Sequence, residues 1–285
     1  MELNGAAIRI LSGLLEARTG QRLGPGRPAR LDAALAPILR LHGIGGFDML
    51  VAALVGARDA RLADAVVEAL LDKDSRFLSG DASFQTLTGP VLAELAAARG
   101  ATRRLRVWSA GCSAGQEAYS LAIALADQAD RWRGWTIDIQ ATDVSRAAIA
   151  QAREGRYADA EARESLPPRL LERWFDREEG HWRVVPPLRE RVRFHVHSLA
   201  EPMPMPGTFD VILCRNVLNR FSPAMRDAVL GRLARAIAPD GVLMLGPGEA
   251  LAARTARFEP DSAVAGFYRL PTTAAGPASA IPGAA

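Results

Sequence analysis

Lysine is almost missing from this chain: of 35 basic residues only Lys73 is a lysine and the other 34 are arginine. Nearly every positive charge is therefore a planar fork suited to carboxylate or phosphate. Cysteine is scarce as well. Cys112 and Cys214, far apart in the chain, form neither a disulfide framework nor a zinc pattern and fit a reducing compartment. No apolar run reaches the roughly 18 residues that a membrane span needs, so no membrane insertion is expected. The first twenty residues lack the basic start, unbroken apolar stretch and cleavage site of a signal peptide, and the expected location is the cytoplasm. A net charge of only +3, from 35 basic and 32 acidic residues, argues against a nucleic-acid partner. What the chain does have is 285 residues with 49% hydrophobic side chains, enough for one large core or two smaller ones.

Organisation changes along the chain. Residues 1–80 carry helical periodicity only, with Ile8, Leu11 and Leu15, then Leu31, Leu35, Ile38 and Leu39, on single faces, and are expected to form an all-α N-terminal domain. From about residue 101 strands and helices alternate. Strands are expected at 105–110, 136–142, 192–196, 211–214 and 242–245, with helices after the first and second, the latter capped by Ser145 and running through Arg156. A further helix over 222–238 should stop at Pro239, Asp240 and Gly241. Such alternation predicts a mainly parallel sheet covered by helices, an α/β domain over 81–270. Between 157 and 191 four prolines break the pattern, marking a small inserted subdomain. The last stretch, 271–285, is dominated by Ala, Gly, Pro, Ser and Thr and is expected to be a disordered tail.

In an open α/β sheet, ligands bind beyond the carboxyl ends of the strands. After the first strand comes GCSAGQE at 111–117, where Gly111 and Gly115 permit a tight turn and close approach of a ligand, and the helix start that follows can receive an anion. Asp143 closes the second strand, placed to accept hydrogen bonds from ribose hydroxyls. An ordinary strand-to-helix connection would explain the glycines alone; Asp143 favours a nucleoside ligand. The G-x-x-x-G spacing departs from the dinucleotide fingerprint, which makes a nicotinamide-dependent oxidoreductase the weaker reading.

These residues together resemble the chemotaxis receptor methyltransferase (CheR) family, which methylates glutamate side chains using S-adenosylmethionine. The resemblance runs from about Ile8 to Leu270. Its most specific pieces are WSAGCSAGQEAYS at 108–120, ATDVS at 141–145 followed by AREGRY at 152–157, and FDVILCRNV at 209–217; GPGE at 246–249 is a fainter echo of the family's G-H-S-E. The resemblance implies a helical N-terminal domain, then a Rossmann-like methyltransferase domain holding a small inserted antiparallel β subdomain. It also implies that Glu117 and Asp143 hold polar groups of S-adenosylmethionine, that Ser198 and Leu199 flank the adenosine, and that Arg215 and Asn216 meet the cofactor beside the methyl group. Ser198 stands where the family has Asn.

Two further departures concern the methyl acceptor. The family's N-x-T-x-F-F-R reads DASFQTL at 81–87. Asp81 and Ser83 can stand in for the Asn and Thr at the cofactor, whereas Leu87 cannot do what arginine does. The family's N-V-x-x-Y-F reads NVLNRF at 216–221, with Arg220 in place of the tyrosine. Two readings of Arg220 stay open: a group that holds the acceptor carboxylate in place of the missing arginine, or a side chain on a solvated helix start. The resemblance implies a protein-glutamate O-methyltransferase acting on chemoreceptor helices. A catalytically weak module that binds S-adenosylmethionine or S-adenosylhomocysteine for regulation is the alternative. Receptor docking is implied for Arg27, Arg30 and Arg40, and the short stretch 175–182 argues against tethering to a receptor's C-terminal pentapeptide.

Other candidates carry less. His195 and His197 alternate along one strand without a third ligand and read as strand-surface histidines, so no metal site is expected. Cys112 reads as a small packing residue. Trp132, Trp135, Trp174 and Trp182 read as packing residues, since base stacking would want a basic groove.

Overall fold

Among the described residues four helices open the chain, and side-chain caps set the first and the fourth. Asn4 caps α1 (Gly5–Thr19) by accepting from the Ala7 N–H, and Gly20 ends it in the left-handed region. Helices α2 (Leu31–Leu41) and α3 (Phe47–Gly56) follow, and Asp59 caps α4 (Ala60–Leu70) through the N–H groups of Arg61 and Leu62. Leu11, Leu15, Leu31, Leu35, Leu50 and Val66 form the centre of one shared core. The computed structural model of the chain describes residues 4–24, 30–56, 59–73, 75–203, 205–251, 257–262 and 264–271. Arg27 and residues 272–285 of the expected tail lie outside them.

Asp81 caps α5 (Ala82–Thr86), which runs through a π-helical turn (Leu87–Val91) into α6 (Leu92–Ala98). These helices belong with the sheet: Phe84, Leu87 and Leu95 share a core with Leu105 and Val107. Leu87, at the position of the family's arginine, is fully buried there.

The sheet begins with β1 (Arg104–Ala110), followed by α7 (Gln116–Asp127), β2 (Thr136–Asp143) and α8 (Arg146–Glu154). Next comes the insert: β3 (Arg156–Ala158), α9 (Asp159–Ser165), α10 (Pro168–Trp174), β4 (Phe175–Glu178), β5 (His181–Val184) and α11 (Pro186–Arg189). Its three strands form an antiparallel sheet ordered β3-β5-β4. Then β6 (Val192–Val196), β7 (Phe209–Cys214), α12 (Pro223–Ala236), β8 (Ile237–Leu245), β9 (Glu259–Pro260) and β10 (Phe267–Arg269) complete a seven-stranded sheet ordered β6-β2-β1-β7-β8-β10-β9. The first five of these strands run parallel, and β10 and β9 are antiparallel. The expected Rossmann-like α/β architecture is present, and the strand order reverses between β1 and β7, where such folds bind ligands.

Two boundaries differ from the sequence reading. Helix α8 stops at Glu154, because Gly155 takes the left-handed C-cap conformation and Arg156 enters β3. Helix α12 ends at Ala236, and Pro239, Asp240 and Gly241 lie inside β8. They form an irregularity between the pairs Phe209↔Ile237 and Val211↔Val242. A Cβ on Gly241 would come within 3.0 Å of the carbonyl oxygens of Ala238 and Phe209. Asp240 is held by Arg99 at 2.5 and 2.7 Å. The same guanidinium donates to Asp210 on β7 at 2.8 Å, so the bulge is pinned from outside the strand.

Candidate functional site

Beyond the ends of β1, β2 and β7 lies a cavity of about 530 Å³, closed on its far side by residues from the helical region, among them Gln21 and Asp72, and by α9. Its floor is the turn after β1. The N–H groups of Gly111 and Cys112 both donate to the Thr142 carbonyl, at 2.8 and 2.9 Å, joining this turn to β2. Gly111 and Gly115 have φ of 82° and 90°, and Ser113, without that freedom, has 49°. The glycines make the tight turn that the sequence led us to expect, and they also let the protein pack closely around it. A Cβ on Gly111 would lie 2.5 Å from Val217, and one on Gly115 would lie 2.9 Å from both Ala152 and Phe194.

Asp143 is held from two sides by this backbone. One oxygen accepts the Ser113 N–H at 2.9 Å and the other the Ser145 N–H at 2.8 Å. Burial pushes its carboxyl above the usual range, against the pull of those N–H groups and of the nearby Arg220 charge. Glu117, in the first turn of α7, accepts from the Ser109 hydroxyl at 3.1 Å and faces Arg215 at 3.6 Å. Burial raises its carboxyl too, with Arg215 opposing. The Arg215 side chain, 4% exposed, binds Asp81 at 2.7 Å. Its Nε is buried without a partner among the described residues, as is Nε2 of His197.

Of the residues singled out for the cofactor, Gly111, Glu117, Asp143, Leu199, Arg215 and Asn216 line the cavity. Asp81, Ser83, Gly115 and Ser198 do not. Asp81 sits one layer out, capping α5 through the Phe84 N–H while it holds Arg215. The Ser198 hydroxyl donates to the Thr19 carbonyl at 3.2 Å and accepts the Ala200 N–H, which engages it at the joint with α1. Arg220 lines the cavity with its side chain 18% exposed, donating to the carbonyls of Asn216 and Asp72 and pairing with the Asp72 carboxylate at 3.4 Å. The solvated-helix-start reading of Arg220 is thereby removed.

Three features escaped the sequence reading. His197 lies just past the end of β6, lines the cavity and is 9% exposed, with its imidazole pKa lowered by burial; it is not a strand-surface side chain. His195 is the more open of the two and pairs with Gln140 at 3.0 Å. Glu249, fully buried, accepts the N–H groups of Asn216 at 2.5 Å and Gly246 at 3.1 Å and so braces the turn in which Asn216 has φ of 59°. In the sequence it stood out only as the last residue of GPGE, the fainter echo of G-H-S-E. Trp132 borders a second cavity. Cys112 is buried in the first cavity's wall, and burial pushes its thiol pKa up. Among the described residues no three His, Cys, Asp or Glu side chains could hold a metal ion. No described helix is long and apolar enough to cross a membrane.

The donor set fits S-adenosylmethionine. Asp143 presents carboxylate oxygens at the end of β2, beside the switch point, a buried Arg215 nitrogen has no acceptor among the described residues, and Leu199 adds an apolar wall. Comparison with known proteins agrees. The family model "CheR methyltransferase, SAM binding domain" matches residues 73–266. The chain is 33% identical over 255 residues to "Chemotaxis protein methyltransferase 1" of Pseudomonas aeruginosa, covering 88% of this chain and 92% of the relative. It is 31% identical over 254 residues to the "Chemotaxis protein methyltransferase" of Vibrio parahaemolyticus, covering 88% and 91%. With that of Escherichia coli it shares 30% over 267 residues, covering 90% and 89%. The chain belongs to the CheR methyltransferase family.

Proposed function

We propose that this protein transfers the methyl group of S-adenosylmethionine to glutamate side chains of chemoreceptors, working in the cytoplasm. The observation that carries the reading is one cavity that gathers Asp143, Arg215 and Asn216 at the switch point of a CheR-family sheet and is walled by the helical region. The cofactor, when bound, supplies an electrophilic methyl on a sulfonium. The acceptor carboxylate is already an anion, so the chain need supply no general base; it orients the two groups and excludes water. Asp143 receives ribose hydroxyls, Leu199 packs on the nucleoside, and Glu117, Arg215 and Asn216 hold the polar tail, with Asp81 fixing Arg215. In this reading Ser83, Gly115 and Ser198 act on the walls rather than on the cofactor.

Arg220 is assigned to the acceptor carboxylate, the role left open by Leu87. Arg30 and Arg40, both exposed, are assigned with Arg27 to docking an acidic receptor surface. The turn between β4 and β5 is only Glu179 and Gly180, which supports a reading without pentapeptide tethering. The test is incubation with labelled S-adenosylmethionine and receptor-bearing membranes, beside calorimetry with S-adenosylhomocysteine. Base-labile methyl esters are expected, with slower turnover in Arg220→Ala. Equal turnover removes Arg220 from the reaction. Binding without any ester makes the protein a regulatory module instead.

A further inference from the structure

Lys73, the chain's one lysine, follows the end of α4, and its ammonium pairs with Glu68 of that helix at 2.7 Å. Glu68 reaches across to the sheet domain. It accepts the Ser145 hydroxyl and, at 3.1 Å, the N–H of Arg146, the first residue of α8. A carboxylate is favoured there by the free N–H groups and the dipole of the helix. The Lys73 carbonyl, for its part, accepts the Ser113 hydroxyl at 2.9 Å. A compact ammonium on a flexible stem can turn back to Glu68 while the backbone serves Ser113.

Ser113 and Ser145 are the residues whose backbone N–H groups hold the two oxygens of Asp143. Both are nearly closed to solvent, at 8% and 1% exposure, so their hydroxyls depend on protein partners. A closed circuit results, from Asp143 to Ser145, Glu68, Lys73, Ser113 and back to Asp143. Val144, inside the same turn, packs against the core of the helical region. The strand end that carries Asp143 is therefore gripped by the helical region through Val144, Ser145 and Arg146.

We propose that Glu68 and Lys73 are positioning residues for the cofactor, fixing through Ser145 and Ser113 the direction in which Asp143 meets the ribose; this rests on the cofactor reading given above. Charge and geometry oppose each other here. Burial, and behind it the Glu68 charge, push the Asp143 carboxyl up, so by charge alone removing Glu68 would favour the ionised form and strengthen binding. Loss of orientation weakens it. The test is calorimetry of S-adenosylhomocysteine at neutral pH on the full chain, with the melting temperature measured beside it. Glu68→Ala is expected to weaken binding about tenfold. Glu68→Gln keeps an acceptor for Ser145 without the charge facing Lys73, and Lys73→Met leaves the carbonyl on Ser113; both should fall between Glu68→Ala and the parent. In an Asp143→Asn background, Glu68→Ala should cost less than about twofold more, because a residue acting through Asp143 has nothing left to orient. Fully additive losses, or binding unchanged or tightened in Glu68→Ala (in Glu68→Gln should the alanine variant not fold), overturn the proposal and leave the cofactor reading standing. A parent chain that does not bind S-adenosylhomocysteine overturns both.

Discussion

Two of the carboxylates that line the cavity, Asp143 and Glu117, are stabilised by different means, and their responses to substitution should differ. Asp143 is held by backbone N–H groups of Ser113 and Ser145, whereas Glu117 depends on Arg215 and Ser109. Burial raises Asp143 above its usual 3.8. In the empty protein its contribution to stability is therefore fullest below 3.8 and is lost as pH rises through the raised value. Ribose hydroxyls favour the ionised form, so affinity for S-adenosylhomocysteine should climb across that acidic window and then level off. Calorimetry over a pH series checks this, with a flat and at least tenfold weaker profile expected in Asp143→Asn; parent affinity that falls as pH rises through the window contradicts it. Arg215→Ala should behave as a stability variant, since Glu117 and Asp81 lose their common cation, at about 3–5 kcal/mol in urea unfolding. Much of this residue-level picture is legible in the sequence, Asp143 because it closes a strand and Arg215 and Asn216 through the resemblance carried by FDVILCRNV. Ser198 and His197 are not, since which of two adjacent side chains enters the cavity depends on Thr19, which occupies the serine hydroxyl from 179 residues away.

At the scale of elements, alternation was readable where the determinants were local, and Ser145 caps the helix it was expected to cap; Asn4, Asp59 and Asp81 cap theirs without having been singled out for it. The start of β8 was not readable. Pro239, Asp240 and Gly241 have the composition of a stop, and they lie in a strand because Arg99, remote in sequence, anchors Asp240 there. The role of Gly115 was likewise hidden in its neighbours. Its left-handed conformation lets α7 start directly against Ala152 and Phe194. Gly115→Ala is expected to cost about 1–3 kcal/mol, seen as a lower melting temperature. An unchanged melting temperature would show that the turn relaxes freely.

At the scale of the whole molecule, the arginine bias divides into uses. Arg215 and Arg220 lie in the cavity wall, and Arg99, Arg106 and Arg269 tie strands and turns through acidic partners. Arg30 and Arg40 are left on the exposed face of the helical region. Reversing both to glutamate should raise KM for receptor membranes and leave kcat and S-adenosylhomocysteine affinity as they were, with the KM effect fading at high salt. A KM that does not move places docking elsewhere.

The short bridge between Gln21 and Phe221, with the Arg22 N–H donating to the Arg220 carbonyl at 2.6 Å, bears on how the molecule is made. It joins segments 200 residues apart, and the Arg220 contact with Asp72 spans 148. Closing loops of this length is slow relative to local helix and hairpin formation. On the ribosome Gln21 has no Phe221 to pair with until residue 221 has emerged, so this clasp cannot form until most of the chain is made. In refolding from urea, the far-ultraviolet signal should return before the capacity to bind S-adenosylhomocysteine, and simultaneous recovery would mean that the clasp forms early. Cofactor competence is therefore expected late in the life of the chain, and a product truncated before residue 221 is expected to lack it.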